Sequence, residues 1–207
     1  MSFTSEAGDQ AFRAAIGALE SASAVEVVVA VRAHARRWMV QHLVVGLIAA
    51  IAVLVYAALR PLEPWAVIAA PLVTGLVSVL LVEWIPPLNR FLVPAYVRKL
   101  HAREAARALF VDRTIHATRG RTGMLVYIAV RAQVCDIVGD VGVIEKLGQH
   151  TLDAYAEKLA AAIPRGAEAT ANVLTSFVPE VAAQLPRRSD DRNELPDASV
   201  IVPKTHA

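Results

Sequence analysis

Two long uncharged runs inside an otherwise mixed sequence constrain this chain more than any other feature. The first extends from Trp38 to Leu59 and the second from Trp65 to Val82. Each holds about the 20 apolar residues that a helix rising 1.5 Å per residue needs to cross a hydrocarbon core. Only Arg60, Pro61, Leu62, Glu63 and Pro64 separate them, so the two helices are expected to fold back as a hairpin. The residues outside 38–85 have the composition of a water-soluble domain, and the 56% hydrophobic content of the 207 residues comes mostly from the hairpin.

Charge adds an orientation. Arg32, Arg36 and Arg37 precede the hairpin, and Arg90, Arg98, Lys99 and Arg103 follow it, whereas the loop offers Arg60 beside Glu63. The positive-inside rule then places both termini in the cytoplasm, in a two-span protein of the cell inner membrane. Trp38, Trp65 and Trp84 fall where an aromatic belt would sit. Ser2 to Leu19 lacks the apolar core of a secretory signal. The net charge of +2 is too small to argue for a nucleic-acid partner. Cys135, alone, excludes an internal disulfide and fits a reducing compartment. Glu83 and His42 read as interfacial residues at span ends, and Pro71, Thr74, Gly75 and Ser78 as packing between the spans.

The flanking segments read as one α/β domain interrupted by the hairpin. Residues 1–8 are expected to be disordered. A helix is predicted from Asp9 to Ala22, with Phe12, Ile16 and Leu19 on one face. Val25 to Val31 is β-branched and nearly all apolar, which predicts a strand buried on both faces and closes the first part, 9–33. After spans at about 38–59 and 65–85, residues 95–185 supply the remainder. That part is a basic helix from Ala95 to Asp112, strands Met124–Val130 and Val134–Val138, and helices Val143–Ile163 and Gly166–Leu185. Residues 186–207 read as a flexible tail. A lone first strand needs partners, so it is expected to join the later two in one sheet. The basic helix presents Arg98, Lys99, Arg103 and Arg107, either to anionic lipid or to solvent.

Motifs for common chemistries are missing: no phosphate-binding glycine loop, no HExxH, no CxxC, no Gly-x-Ser-x-Gly. Thr118 to Gly123 offers backbone N–H groups and Arg119 or Arg121 to a phosphate, or is a solvated basic turn. Cys135 falls mid-strand and reads as a buried small hydrophobe. Asp136 and Asp140 bracket a strand end and, with Glu145, supply hard oxygen donors suited to calcium or magnesium. Single aspartates also serve as turn and helix caps.

Three segments, in order, resemble the TPM domain, the family shared by thylakoid-lumen, photosystem II repair-associated and receptor-modulating proteins. Arg121-Thr122-Gly123-Met124-Leu125-Val126-Tyr127-Ile128, followed by Asp136-Ile137-Val138-Gly139-Asp140-Val141-Gly142-Val143, is similar to that family's central motif. Glu20 and Glu26 resemble its opening segment, and Asp190 to Asp197, with Asn193-Glu194-Leu195-Pro196-Asp197, resembles the tail of bacterial membrane members. Ala132-Gln133 replaces the usual Glu-Arg pair, and His150 or a neighbour stands where a tryptophan is common. The resemblance implies a mixed sheet flanked by helices, with an inserted transmembrane hairpin. It leaves three functional expectations. The first is a non-enzymatic module on the cytoplasmic face acting through a protein partner or a homo-oligomer. The second is a calcium-binding module with Asp140 as ligand. The third is a weak acid phosphatase.

Overall fold

The computed structural model describes residues 2–3, 5–32, 39–60, 63–84, 93–187 and 200–201. The chain divides into two compact units, Met1–Arg36 with Arg98–Ala207, and Arg37–Val97.

The first unit is mixed α/β. Helix α1 (Glu6–Ala22) starts earlier than the spacing predicts, because Ser5 caps it by accepting the N–H of Gly8 at 3.2 Å. Phe3 is buried and stacks on Phe12 with ring centroids 6.1 Å apart. The expected disorder of residues 1–8 is thus corrected: a cap and an aromatic anchor hold their described part in place. Strand β1 (Glu26–Arg32) follows, with Val27 to Val31 buried. It pairs in parallel with β2 (Gly123–Ala129), Glu26 opposite Gly123 and Arg32 opposite Ala129. Strand β3 (Val134–Gly139) returns antiparallel to β2, with Asp136 opposite Tyr127. Val200–Ile201 forms β4, parallel to β1, so the described sheet order is β3-β2-β1-β4. The first strand therefore joins the later two in one sheet.

Alternation of side chains along the strands divides the core between two faces. Val27, Val29, Val31, Met124, Val126, Ile128, Cys135 and Ile137 belong to a cluster with α1 and the later helices. Val28, Ala30, Leu125, Tyr127, Ala129 and Val134 pack with Ala102, Ala106, Leu109 and Phe110 of helix α4 (Ala95–Asp112). Each predicted C-terminal helix is two helices. Gly148, at φ +77°, separates α5 (Val141–Leu147) from α6 (Gln149–Ala162), because an L side chain rarely holds that conformation. Ser176 and Phe177 separate α7 (Ala167–Thr175) from α8 (Val178–Gln184). Proline at the second position of α8 has no N–H to continue a ladder.

The second unit is a pair of packed helices, α2 (Met39–Ala58) and α3 (Pro64–Trp84). Glycine lets their backbones touch. A Cβ on Gly46 would lie 2.8 Å from the Gly75 carbonyl oxygen, and one on Gly75 would lie 3.1 Å from that of Gly46. Such close approach is how apolar helices associate without a hydrophobic gain. Among the described residues, Pro64–Val82 is long and apolar enough to cross a membrane, and Leu43–Ala58 is a shorter apolar helix. Trp38, Pro86 and Pro87, the side chains of His42 and Glu83, and the Asn193–Asp197 motif lie outside what the structure describes.

Candidate functional site

Residues 118–123 and 139–142 meet at one end of the sheet. β1 and β2 begin there and β3 ends there. Before β2 the chain turns through Thr118–Thr122, with Arg121 left-handed at φ 53°. The buried Thr118 shapes this turn: its carbonyl accepts the Arg121 N–H at 3.1 Å and its Oγ1 accepts the Thr122 N–H at 3.1 Å. These two N–H groups therefore serve the turn. Gly123 must be glycine, since a Cβ would sit 2.1 Å from the Ile115 carbonyl oxygen. After β3, Asp140 donates its N–H to the Gly123 carbonyl at 2.8 Å, and Gly142 donates to that of Arg121 at 3.0 Å.

Asp140 is buried in this corner. Its Oδ1 accepts the Val141 N–H at 2.7 Å, capping α5, and its Oδ2 lies 3.3 Å from Arg121 Nε. Asp136 lies elsewhere. Four residues along a strand span about 13 Å, so the two aspartates cannot share an ion. Asp136 Oδ1 faces Arg103 Nε at 3.5 Å. Glu145 is exposed on α5. The structure thus does not bring Asp136, Asp140 and Glu145 together. Among the described residues, no group of three or more His, Cys, Asp or Glu side chains could hold a metal ion.

Arg103 links three elements. Its Nη2 donates to Asp153 Oδ1 of α6 at 3.1 Å, while its Nε approaches Asp136 on β3. One turn earlier, Lys99 Nζ meets Glu157 Oε1 at 2.9 Å. Gln149 Nε2 also donates to Asp153, at 2.9 Å. Arg98 donates to the Ala132 carbonyl in the β2–β3 turn. The basic face of α4 thus pairs in part with carboxylates of α6 and β3 while staying in contact with solvent, as the solvent expectation has it: the Lys99 side chain is 58% exposed, that of Arg103 43%, and Arg107 is exposed. Its legible signal was the matching four-residue step of Lys99 and Arg103 against Asp153 and Glu157.

Burial raises the Asp136 carboxyl above its ordinary range, and Arg103 draws it part of the way back. Burial, reinforced by the Asp136 charge, pushes the Cys135 thiol up. This agrees with its reading as a small hydrophobe. On the other side of the unit, Tyr155 stacks on Phe177 with centroids 3.9 Å apart, and Lys158 Nζ lies 5.7 Å from the tyrosine ring. Burial also raises the Tyr155 hydroxyl, and the neighbouring Glu180 carboxylate adds to the rise.

With this geometry in hand, comparison with known proteins adds one relation. The chain is similar to the NMR structure of BA42 protein from the psychrophilic bacterium Bizionia argentinensis, at TM-score 0.55 and 14% identity, over 95% of this chain and 94% of that one. The likeness is one of fold. No family model and no curated protein matches the chain. The α/β architecture is common ground between the two structures, and it does not by itself assign an activity.

Proposed function

We propose that the chain is a membrane-anchored, non-enzymatic module of the TPM kind, whose α/β unit works at the cytoplasmic face through a protein partner. The observation that carries the anchoring is the exposure of α2 and α3. Leu47 is 61% exposed, Ile68 70%, Leu72 69% and Leu76 63%. Monomeric soluble proteins rarely leave contiguous apolar surface of this kind in water, and lipid is the covering that suits two uncharged helices. The module reading rests on the described charged residues of the α/β unit. Asp136, Asp140, Arg103 and Arg121 neutralise one another, which suits a structural role better than acid–base work. The calcium or magnesium reading and the phosphatase reading have no observation of equal weight.

Membrane fractionation with alkaline extraction, followed by labelling of single cysteines in a Cys135→Ser background, tests the anchoring. The protein is expected to resist extraction. Glu63→Cys should react with an impermeant maleimide only in right-side-out vesicles, and Arg187→Cys only in inverted ones. Release by alkali, or reaction of both cysteines from one side, would sink the two-span reading.

A further inference from the structure

Strand alternation puts Arg32 on the α4 side of the sheet, in the row that holds Val28 and Ala30. Tyr127 stands on the same side, opposite Ala30 on one neighbouring strand and Asp136 on the other. Arg32 and Tyr127 are therefore diagonal neighbours, their Cα atoms about 8 Å apart by the spacings of a sheet. Both carry a buried donor that nothing takes. The Tyr127 hydroxyl and Arg32 Nε are sealed from solvent, and among the described residues neither has a hydrogen-bond partner. Tyr127 as a whole is 0% exposed. The carboxylate opposite it, Asp136, is engaged by Arg103 instead, at 3.5 Å. Burial raises the pKa of the Tyr127 hydroxyl and the Arg32 charge draws it part of the way back, so the cation acts on the phenol. Buried donors are normally paired, because an unmade hydrogen bond forfeits the hydration of the group with no return.

The position of the two donors matters as much as their burial. β1 and β2 run parallel and end together, Arg32 opposite Ala129. The Arg32 carbonyl accepts the Val130 N–H at 2.9 Å, and Arg98, in the first turn of α4, donates to the Ala132 carbonyl of the same β2–β3 turn. Two guanidinium groups thus reach the carboxyl end of the parallel pair, the end at which open α/β sheets take up ligands. Among the described residues no carboxylate forms an ion pair with Arg32. We propose that this corner is an oxyanion site, in which Arg32 and the Tyr127 hydroxyl hold one phosphate-type group, free or on a lipid headgroup. A phosphate accepts both donors at once, and a guanidinium offers it more than one N–H in a fixed plane. The site is separate from the Thr118–Thr122 turn, which lies at the opposite end of β2. It stands apart from the anchoring of α2 and α3 and needs no partner protein.

The test is isothermal titration of the full chain in detergent with inorganic phosphate, at constant ionic strength set with chloride. The parent is expected to bind one phosphate per chain. Arg32→Met and Tyr127→Phe should each bind at least about tenfold more weakly, since each removes a hydrogen bond to a charged group. Tyr127→Phe also serves as the folding control. It removes a donor without a partner, so in chloride its melting temperature should match or exceed that of the parent. Micelles carrying phosphatidic acid, set against phosphatidylcholine micelles, identify the source of the group. Tighter binding than inorganic phosphate assigns the site to a headgroup, and equal or weaker binding assigns it to the free ion. No saturable binding of either probe by the parent, or binding that either substitution leaves unchanged, would overturn the site. A Tyr127→Phe variant that melts well below the parent would show the hydroxyl to be already paired within the fold, and would overturn it too.

Discussion

Arg121 and Asp140 form an ion pair, Nε to Oδ2 at 3.3 Å, that joins the turn before β2 to the cap of the helix after β3. It ties the Arg121-Thr122-Gly123 segment to the Gly139-Asp140-Val141-Gly142 segment. Antiparallel pairing of Met124 with Gly139 places the start of one strand beside the end of the other. The arginine then neutralises a carboxylate that burial would otherwise penalise.

Asp140→Ala should cost about 1–2 kcal/mol, the usual loss for an N-cap, and Asp140→Asn less, because its amide oxygen still accepts from Val141. Thermal unfolding in detergent reads both. Millimolar calcium or magnesium should leave the parent's transition unchanged. A rise abolished by Asp140→Asn would restore this residue as a metal ligand.

Glu20→Ala should cost about 1–3 kcal/mol, because the Val27 N–H loses its acceptor in a half-buried position. Glu20→Gln keeps an oxygen there and should recover most of the loss. Urea unfolding of the three proteins decides. An equal loss in both variants would mean that the charge, not the hydrogen bond, matters.

Stability should fall with rising pH through the window set by Asp136. Its raised carboxyl keeps a proton in the folded chain at a pH where the unfolded chain has released it. The contribution is present below the ordinary carboxylate pKa and lost as pH rises through the raised value. Asp136→Asn should flatten the profile and be at least as stable as the parent at neutral pH. Arg103→Met, which removes the cation that lowers this pKa, should steepen it. Unfolding over about pH 4 to 8 measures all three. A profile unchanged by Asp136→Asn would count against this assignment.

Gly46→Ile should force α2 from α3, since even a Cβ there would lie 2.5 Å from Val79 Cγ2. Overpacking of this kind costs about 1–3 kcal/mol. Fluorescence of Trp65 and Trp84 during denaturant unfolding in detergent reports the change. Gly17→Ile, with open space at its Cβ position, serves as the control in the other unit.

Much of the architecture was legible in the residues. Phe12, Ile16 and Leu19 announced α1, the valines announced β1, and the apolar runs announced α2 and α3 within a few residues. These signals are local: they depend on periodicity and on the length of an uncharged run. The start of α1 was missed because its cap, Ser5, and its anchor, Phe3, lie outside the periodic stretch. The Gly148 break was missed because one glycine inside a helical pattern is usually tolerated; here its positive φ ends α5.

The candidate site was legible in part. Asp140 was singled out at a strand end, where it lies, and its alternative role as a cap is the one its contacts express. Grouping it with Asp136 and Glu145 overlooked the rise of a strand, which carries residues four apart well beyond a shared ion.

The sequence alone determined α1, β1, β2, β3, α4 and the two apolar helices, because each follows from neighbours within a turn or two; it read residues 186–207 as a flexible tail, where Val200–Ile201 pairs with β1. Only the tertiary structure decided that Arg103 meets Asp136 and Asp153, 33 and 50 residues away, that Arg121 meets Asp140, and that Val200 returns to Ala30. Those pairings are set by the register of one strand against another and the seating of a helix on a sheet, which no local pattern encodes.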